Sequence, residues 1–301
     1  MTSVPPPEQP ASVNIPPPAA TAGSDIPKES SRTILFQFVF FPLGVVLIGV
    51  AVFFLFGRLA SEEHSVPDYV QQISSGSRTE RKQAAFELAK ALKRGEAKRY
   101  PNLQQQVIEL YNRSKSDDPM VRRYLTVVLG DLHDRKATPL LLDALNDADA
   151  ETRIYALWSL GELRDPAALP ALQKAAADDD SGIRKMAVYA LGELRAPEGV
   201  PTLVNALADP VADVRFNAAM ALSRFDDPRA VGVLREMLDR NRLNGIPGMR
   251  DDQKEDSMIE AMAAYARLAP AEARPVLQRL ATSDPSLRVR GAAKGAVSEA
   301  R

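Results

Sequence analysis

The chain repeats a short phrase at a fixed interval: ALWSLGELRDP begins at Ala156, and AVYALGELRAP begins at Ala187, 31 residues later. Equivalent positions in successive copies, called columns here, hold arginine, leucine or proline at the same 31-residue spacing. They contain Arg122, Arg153, Arg184 and Arg215; Leu129, Leu160, Leu191 and Leu222; and Pro139, Pro170 and Pro201. A period of about 30 residues is typical of stacked supersecondary units, none of which can bury its apolar face alone. We therefore expect a linear array of units.

Each unit divides into two helices. Leu125, Leu129 and Leu132 lie three, seven and ten positions after the first regular arginine, which places them on one helical face. The segment HDRKAT then interrupts the pattern, and Pro139 opens a second helix, where a missing N–H is tolerated. Degenerate copies extend this all-α array over residues 77–301, around regular repeats at 117–240 and an inserted loop at 241–252.

Two stretches carry a family resemblance: DDSGIRKMAVYALGELRAPEGVP and DPVADVRFNAAMALSRFDDPRAV resemble the short HEAT repeats of the phycobilisome-lyase type. The resemblance is good over residues 117–240 and extends over about 77–301. It implies a right-handed α-solenoid of about six to seven HEAT-like helix pairs, with the second helices lining the concave side. It also implies protein–protein binding as the commonest role. A minority of relatives take part in attaching bilins, and nothing in this chain marks that activity.

The N-terminal region has a different character. Residues 1–33 hold eight prolines in the first 27 positions, which predicts a disordered tail with polyproline II character. Residues 34–56 carry no formal charge and reach about 34 Å as a helix, enough to cross a hydrocarbon core of about 30 Å. The sequence therefore predicts a transmembrane helix at 34–56, with a cleaved signal peptide as the competing interpretation. A juxtamembrane linker and first helix follow at 57–76.

This anchor predicts a single-pass protein of a bacterial cytoplasmic membrane, with the lipid bilayer as one partner. Lys28 and Arg32 flank one end of the apolar run and Arg58 flanks the other, which favours an outward, periplasmic repeat domain. The basic stretch at 77–100 favours the opposite, cytoplasmic orientation.

Composition excludes several function classes. The net charge of −1 indicates no nucleic-acid partner. The chain has no cysteine and only His64 and His133 as histidines, so we expect no metal site and no cofactor. Neither a glycine-rich phosphate loop nor a Ser/His/Asp arrangement is evident, and we predict no catalytic residues and no enzyme activity.

Four aspartate–arginine pairs recur six residues apart. Because they repeat in register with the core, we interpret them as a structural ladder, with a charged ligand groove as the alternative. The pairs are Asp147 and Arg153, Asp178 and Arg184, Asp209 and Arg215, and Asp284 and Arg290. The repeated GELR, with Glu162 and Glu193, is interpreted as solvated helix ends.

On the second helices, two positions after the proline column vary while the neighbouring leucines do not. This variation predicts a protein-binding surface at Gln173, Lys174, Val204, Asn205, Arg235 and Glu236. Residues 117–240 carry fifteen basic and twenty-one acidic side chains, which suggests a basic partner. The first helices carry an aromatic stripe, Phe86, Trp158 and Tyr189, which is either a competing site or packing between units.

The sequence as a whole predicts a membrane-anchored HEAT-repeat scaffold or adaptor for protein–protein interactions. Two alternatives stay open. One is a bilin-lyase-like enzyme subunit, which a chromophore bound on purification would reveal. The other is a structural envelope protein that acts through its proline-rich tail.

Overall fold

The computed structural model describes residues 41–60, 65–114 and 118–299. The chain divides into two compact units, Met1–Glu63 and His64–Arg301. The tail predicted at 1–33 and the start of the predicted span, residues 34–40, lie outside the described residues.

The first unit contains helix α1, Phe41–Ala60. Among the described residues, no helix combines the length and the apolar character needed to cross a membrane. Within the described helix, the uncharged stretch from Phe41 to Gly57 reaches about 25 Å, against the roughly 30 Å of a hydrocarbon core. The prediction of a single-pass membrane location, with either orientation, is therefore wrong. The described residues support neither a bilayer partner nor the transmembrane helix predicted at 34–56, of which residues 34–40 lie outside them.

The second unit is all-helical throughout its described residues, as the repeat predicts. Its helices are α2 Val66–Ser75, α3 Arg78–Lys93, α4 Leu103–Arg113, α5 Pro119–Asp131, α6 Thr138–Ala144, α7 Ala150–Leu163, α8 Leu169–Ala175, α9 Ser181–Leu194, α10 Val200–Ala206, α11 Ala212–Ser223, α12 Val231–Met237, α13 Arg240–Asn244, α14 Asp251–Leu268, α15 Pro270–Ser283 and α16 Leu287–Glu299.

The helices pair in sequence as α3/α4, α5/α6, α7/α8, α9/α10, α11/α12 and α14/α15. First helices of consecutive regular units lie side by side, and each second helix packs chiefly on the first helix of the next unit. The observed architecture is thus an all-helical repeat solenoid. Its handedness and the concave placement of the second helices stay predictions.

Local sequence explains where the first helices begin and end. Asp149 accepts the backbone N–H of Thr152 at 2.9 Å, and Asp180 accepts that of Gly182 at 2.7 Å, which satisfies amides that the helix leaves unpaired. At or shortly after the ends of successive first helices, four non-glycine residues adopt left-handed backbone at the 31-residue step. They are His133, Arg164, Arg195 and Asp226, with φ of 53°, 49°, 54° and 54°.

The leucine–glycine column forms the seam between neighbouring first helices. Leu129, Leu160 and Leu191 are fully buried. A Cβ at the neighbouring glycine would meet the next first helix too closely for an ordinary contact. From such an added Cβ, the nearest atom would lie 2.7 Å away in Ser159 for Gly130, 2.9 Å away in Ala190 for Gly161, and 2.6 Å away in Ala221 for Gly192. Glycine is needed here because the two backbones approach this closely.

The seam ends at Ser223, which takes the glycine position in the next unit. The segment predicted as an inserted loop at 241–252 contains the short helix α13 and then bends at Gly245–Arg250. Beyond it, α14 packs mainly against the second helix α12 and only slightly against the first helix α11. A cleft of about 760 Å³ lies there, lined by Met220, Ile246 and Glu260 among others.

Candidate protein-binding surface

The six predicted binding residues lie on three successive second helices, and the structure divides them into two groups. Three are engaged within the protein. Gln173 donates from Nε2 to the Glu198 carbonyl at 3.0 Å, Glu236 accepts from Arg215 at 2.6 Å, and the half-buried Val204 packs against the core.

The other three residues, Lys174 on α8, Asn205 on α10 and Arg235 on α12, are exposed. Arg235 lies 3.7 Å from the Glu272 carboxylate, and because both side chains are more than half exposed this ion pair is weak. Lys174, Asn205 and Arg235 are therefore the members of the predicted set that a partner can reach.

The predicted ladder exists, but its contacts differ from the predicted pairing. Each arginine donates from Nη1 to the backbone carbonyl of the aspartate six residues earlier, not to its carboxylate. The distances are 2.9 Å for Arg153 to Asp147, Arg184 to Asp178 and Arg215 to Asp209, and 2.6 Å for Arg290 to Asp284. These bonds brace the turn that leads into each first helix.

The ion pairs of the ladder join neighbouring units, and the two residues of each pair are 25 positions apart in sequence. Arg122 donates from Nε and Nη2 to both Asp147 oxygens at 2.8 and 3.0 Å, and Arg184 does the same to Asp209 at 2.8 and 3.1 Å. All four side chains are at most 14% exposed. The hydrogen bond from Arg184 lowers the pKa of Asp209, and the same bond raises the pKa of Arg184.

The Arg122–Asp147 and Arg184–Asp209 contacts, called here the closed rungs, have variants toward the C-terminus. Arg240 donates from Nε and Nη2 to the two Asp284 carboxylate oxygens at 3.0 and 2.7 Å, and the Asp284 side chain is only 2% exposed. Arg215 instead binds Glu236 of its own unit. Bidentate arginine–carboxylate pairs are strong and geometrically specific, so these contacts hold the register between units.

Within the regular repeats, one rung of the ladder is open. Arg153 donates from Nη1 to the carbonyls of Asp147 and Ala148 at 2.9 and 3.2 Å. Within the part of the chain that the structure describes, no carboxylate lies within ion-pair distance of Arg153, and Asp178 is exposed. A groove of about 750 Å³ opens there, lined by Arg153, Lys174 and the apolar side chains Leu142, Leu145 and Leu157.

The aromatic stripe on the first helices is engaged between units. Phe86 meets Tyr124 of the next first helix edge-on at 5.3 Å, and the Lys93 amine lies 5.6 Å from the Trp158 ring centroid. Tyr189 lies 3.2 Å from a Glu162 oxygen and donates its hydroxyl proton to it; burial raises the pKa of Tyr189 to about 12. These contacts favour packing over a free binding ridge.

Sequence reasoning missed the role of Glu193. Its carboxylate is buried and accepts from Arg164 and from Arg224, each at 2.9 Å. Glu193 therefore links three consecutive first-helix ends, and its interpretation as a solvated helix end is wrong. The available signal was the arginine at position 224, which faces Glu193 across the glycine seam at Gly192.

Comparison with known proteins agrees with this architecture. Residues 107–190 and 178–243 match the family model for HEAT repeats. A search of curated proteins finds no match.

Solved structures share the fold at low sequence identity. One is the complex of CpcE and CpcF of phycocyanin lyase from Nostoc sp. PCC7120, 20% identical, covering 79% of this chain and 95% of that chain, with a TM-score of 0.53. Another is the Escherichia coli protein YibA, 19% identical, covering 80% and 83%, with a TM-score of 0.48. At this identity the likeness to the lyase structure concerns the fold alone.

Proposed function

We propose that the repeat array is a non-enzymatic scaffold that binds another protein through the face formed by its second helices. The observation that carries this proposal is the contrast between fixed and variable positions on α8, α10 and α12. Leu172, Leu203 and Leu234 are fully buried, whereas the positions beside them present Lys174, Asn205 and Arg235 to solvent. An extended surface of this kind is what stacked helical repeats offer to partners.

The charge of the regular repeats supports a basic partner. Residues 117–240 have twenty-one acidic and fifteen basic side chains, an excess of six acidic ones. Opposite charge accelerates encounter and makes the association sensitive to salt. The similar fold in the CpcE–CpcF complex occurs in an assembly of two proteins, which supports a binding role for such an array.

Site-specific photocrosslinking in the full-length chain tests the proposal. A photoreactive residue at Asn205 should give a discrete adduct in cells, and the adduct should weaken at about 0.5 M salt in extracts. The matched control is the exposed Glu151 at the start of the first helix α7, where no adduct is expected. Adducts from Glu151 but not from Asn205 would move the site to the first helices.

A further inference from the structure

The open rung is a local departure from an otherwise regular device. In the closed rung at Arg184, Nη1 donates to backbone carbonyls and the Nε–Nη2 edge donates to both carboxylate oxygens of Asp209 in the next unit. Arg122 presents the same Nε–Nη2 edge to Asp147. Arg153 makes the same Nη1 bonds as Arg184, so its guanidinium is held in the same way. Its Nε–Nη2 edge makes no hydrogen bond to any described residue. A half-buried guanidinium with an unused bidentate edge is oriented for a carboxylate.

Asp178 has the repeat position of Asp147 and Asp209, 25 residues after the arginine, but its side chain is exposed and lies beyond ion-pair distance of Arg153. The second helix supplies no carboxylate in its place. The position that holds Glu236 opposite Arg215 holds Lys174 in the unit of Arg153, so the second helix supplies a cation there. The residue after each second helix is Leu145, Leu207 or Leu238, but it is Ala176 in this unit. The neighbouring Ala175 and Ala177 line the groove that opens beside it.

We propose that the open rung binds an acidic side chain of the partner protein, an aspartate or glutamate flanked by apolar residues. The carboxylate takes the place on Arg153 that Asp147 takes on Arg122, and Lys174 adds a second positive charge. The apolar flanks lie against Leu142, Leu145 and Leu157. This inference rests on the proposed function and names its central contact: a partner that is basic overall carries one acidic anchor.

Two carboxylates of the array, Asp178 and Asp179, also line the groove. Asp178 accepts the backbone N–H of Asp180 at 2.9 Å, the same turn bond that Asp147 and Asp209 make in the closed rungs, but it makes no bond to Arg153. Both side chains are exposed, so water and salt screen their repulsion of the incoming anion, whereas Arg153 is half-buried and screened less. The groove therefore favours an anion at Arg153 and leaves the outer carboxylates to contact the basic remainder of the partner.

The test uses defined peptides and the full-length chain. N-acetyl-Leu-Asp-Leu-amide is titrated by ligand-observed NMR, with N-acetyl-Leu-Asn-Leu-amide as its uncharged analogue. We expect the aspartyl peptide to bind about tenfold more tightly, because only a carboxylate accepts both arginine hydrogen bonds. N-acetyl-leucinate tests a chain-end carboxylate as the source of the anion, and tighter binding of that probe would overturn the side-chain assignment.

Variants locate the contact. Arg153→Gln should weaken the aspartyl peptide about tenfold and Lys174→Gln a few-fold, whereas Arg184→Gln, in a closed rung, should leave its affinity unchanged. Asp178→Asn should leave it unchanged or tighten it. Equal affinity for the Asp and Asn peptides on the unmodified chain, or no effect of Lys174→Gln and Arg153→Gln, would overturn the anchor. A lack of adducts at Asn205 would instead overturn the scaffold role, so the two failures are distinguishable.

Discussion

Replacing Gly161 by alanine tests whether the seam between first helices sets the stability of the array. The added Cβ would lie 2.9 Å from the Ala190 Cα and 3.1 Å from the Ala190 Cβ. Carbon atoms pack best at about 3.5–4.0 Å, so the two helices must separate by about half an ångström. Because the nearest atom is backbone, no side-chain rotation relieves the contact.

The magnitude follows from two opposing effects. Overpacking of a rigid contact destabilises by about 1–3 kcal/mol. Alanine gains up to about 1 kcal/mol over glycine in a helix interior, and less at Gly161, which lies near the end of α7. We expect Gly161→Ala to lower the free energy of unfolding by about 1–2 kcal/mol. The matched control is Gly291→Ala in α16, where nothing lies within 4 Å, and it should raise stability by about 0.5–1 kcal/mol.

Urea unfolding of the full-length chain, followed by far-ultraviolet circular dichroism, measures both variants. If the seam is as close as described, the two substitutions shift the midpoint in opposite directions. A Gly161→Ala variant as stable as Gly291→Ala would refute the reasoning, because helix propensity alone would then account for both changes.

Three further outcomes are expected. Arg184→Ala should lower the free energy of unfolding by about 2–3 kcal/mol, because it leaves the nearly buried Asp209 carboxylate without its ionic partner. Arg153→Ala should lower it by about 1 kcal/mol, because only hydrogen bonds to carbonyls are lost. Equal losses in urea unfolding would contradict the difference between closed and open rungs. Arg195→Gly should stabilise by about 1 kcal/mol, because glycine adopts φ of 54° without the Cβ penalty, and a lower melting temperature would count against that. Hydrogen bonds from Lys82 and from a backbone N–H lower the pKa of Asp118 to about 2. The contribution of Asp118 to the stability of the fold is therefore present above its ordinary pKa of 3.8 and is lost as the pH falls from there toward 2. Asp118→Asn should flatten that part of the acid-unfolding curve.

The fold could be predicted because its determinants recur at a fixed step. Leu129 and its equivalents mark one buried face per unit, and Pro139 and its equivalents mark each second helix, so local pattern and global packing agree. The apolar run at 34–56 carried no comparable internal check. A hydropathy pattern alone does not fix the bounds of a helix, and no helix among the described residues is long and apolar enough to span a membrane.

The site could be predicted only in part, because partners in a repeat array are distant in sequence. The six-residue spacing of Asp178 and Arg184 was visible, but the ionic partner of Arg184 is Asp209, 25 residues away in the next unit. Glu193 looked like an exposed helix-end residue because its two arginines come from the preceding and following units. The open rung at Arg153 depends on the absence of such a contact, which a column of identical residues does not reveal.

The end of the glycine seam has a mechanical consequence. From α5 to α11, neighbouring first helices lie so close that a Cβ on a seam glycine would come within 2.9 Å of the next helix. Because such close packing opposes sliding or tilting of one helix against the next, we expect this segment to be stiff. At Ser223 the seam ends and the insertion follows. Helix α14 is held chiefly through α12, and a cleft lies between α14 and α11. We therefore expect bending to be concentrated at this joint, with residues 251–299 moving relative to the stiff segment, while the groove at Arg153 keeps its shape.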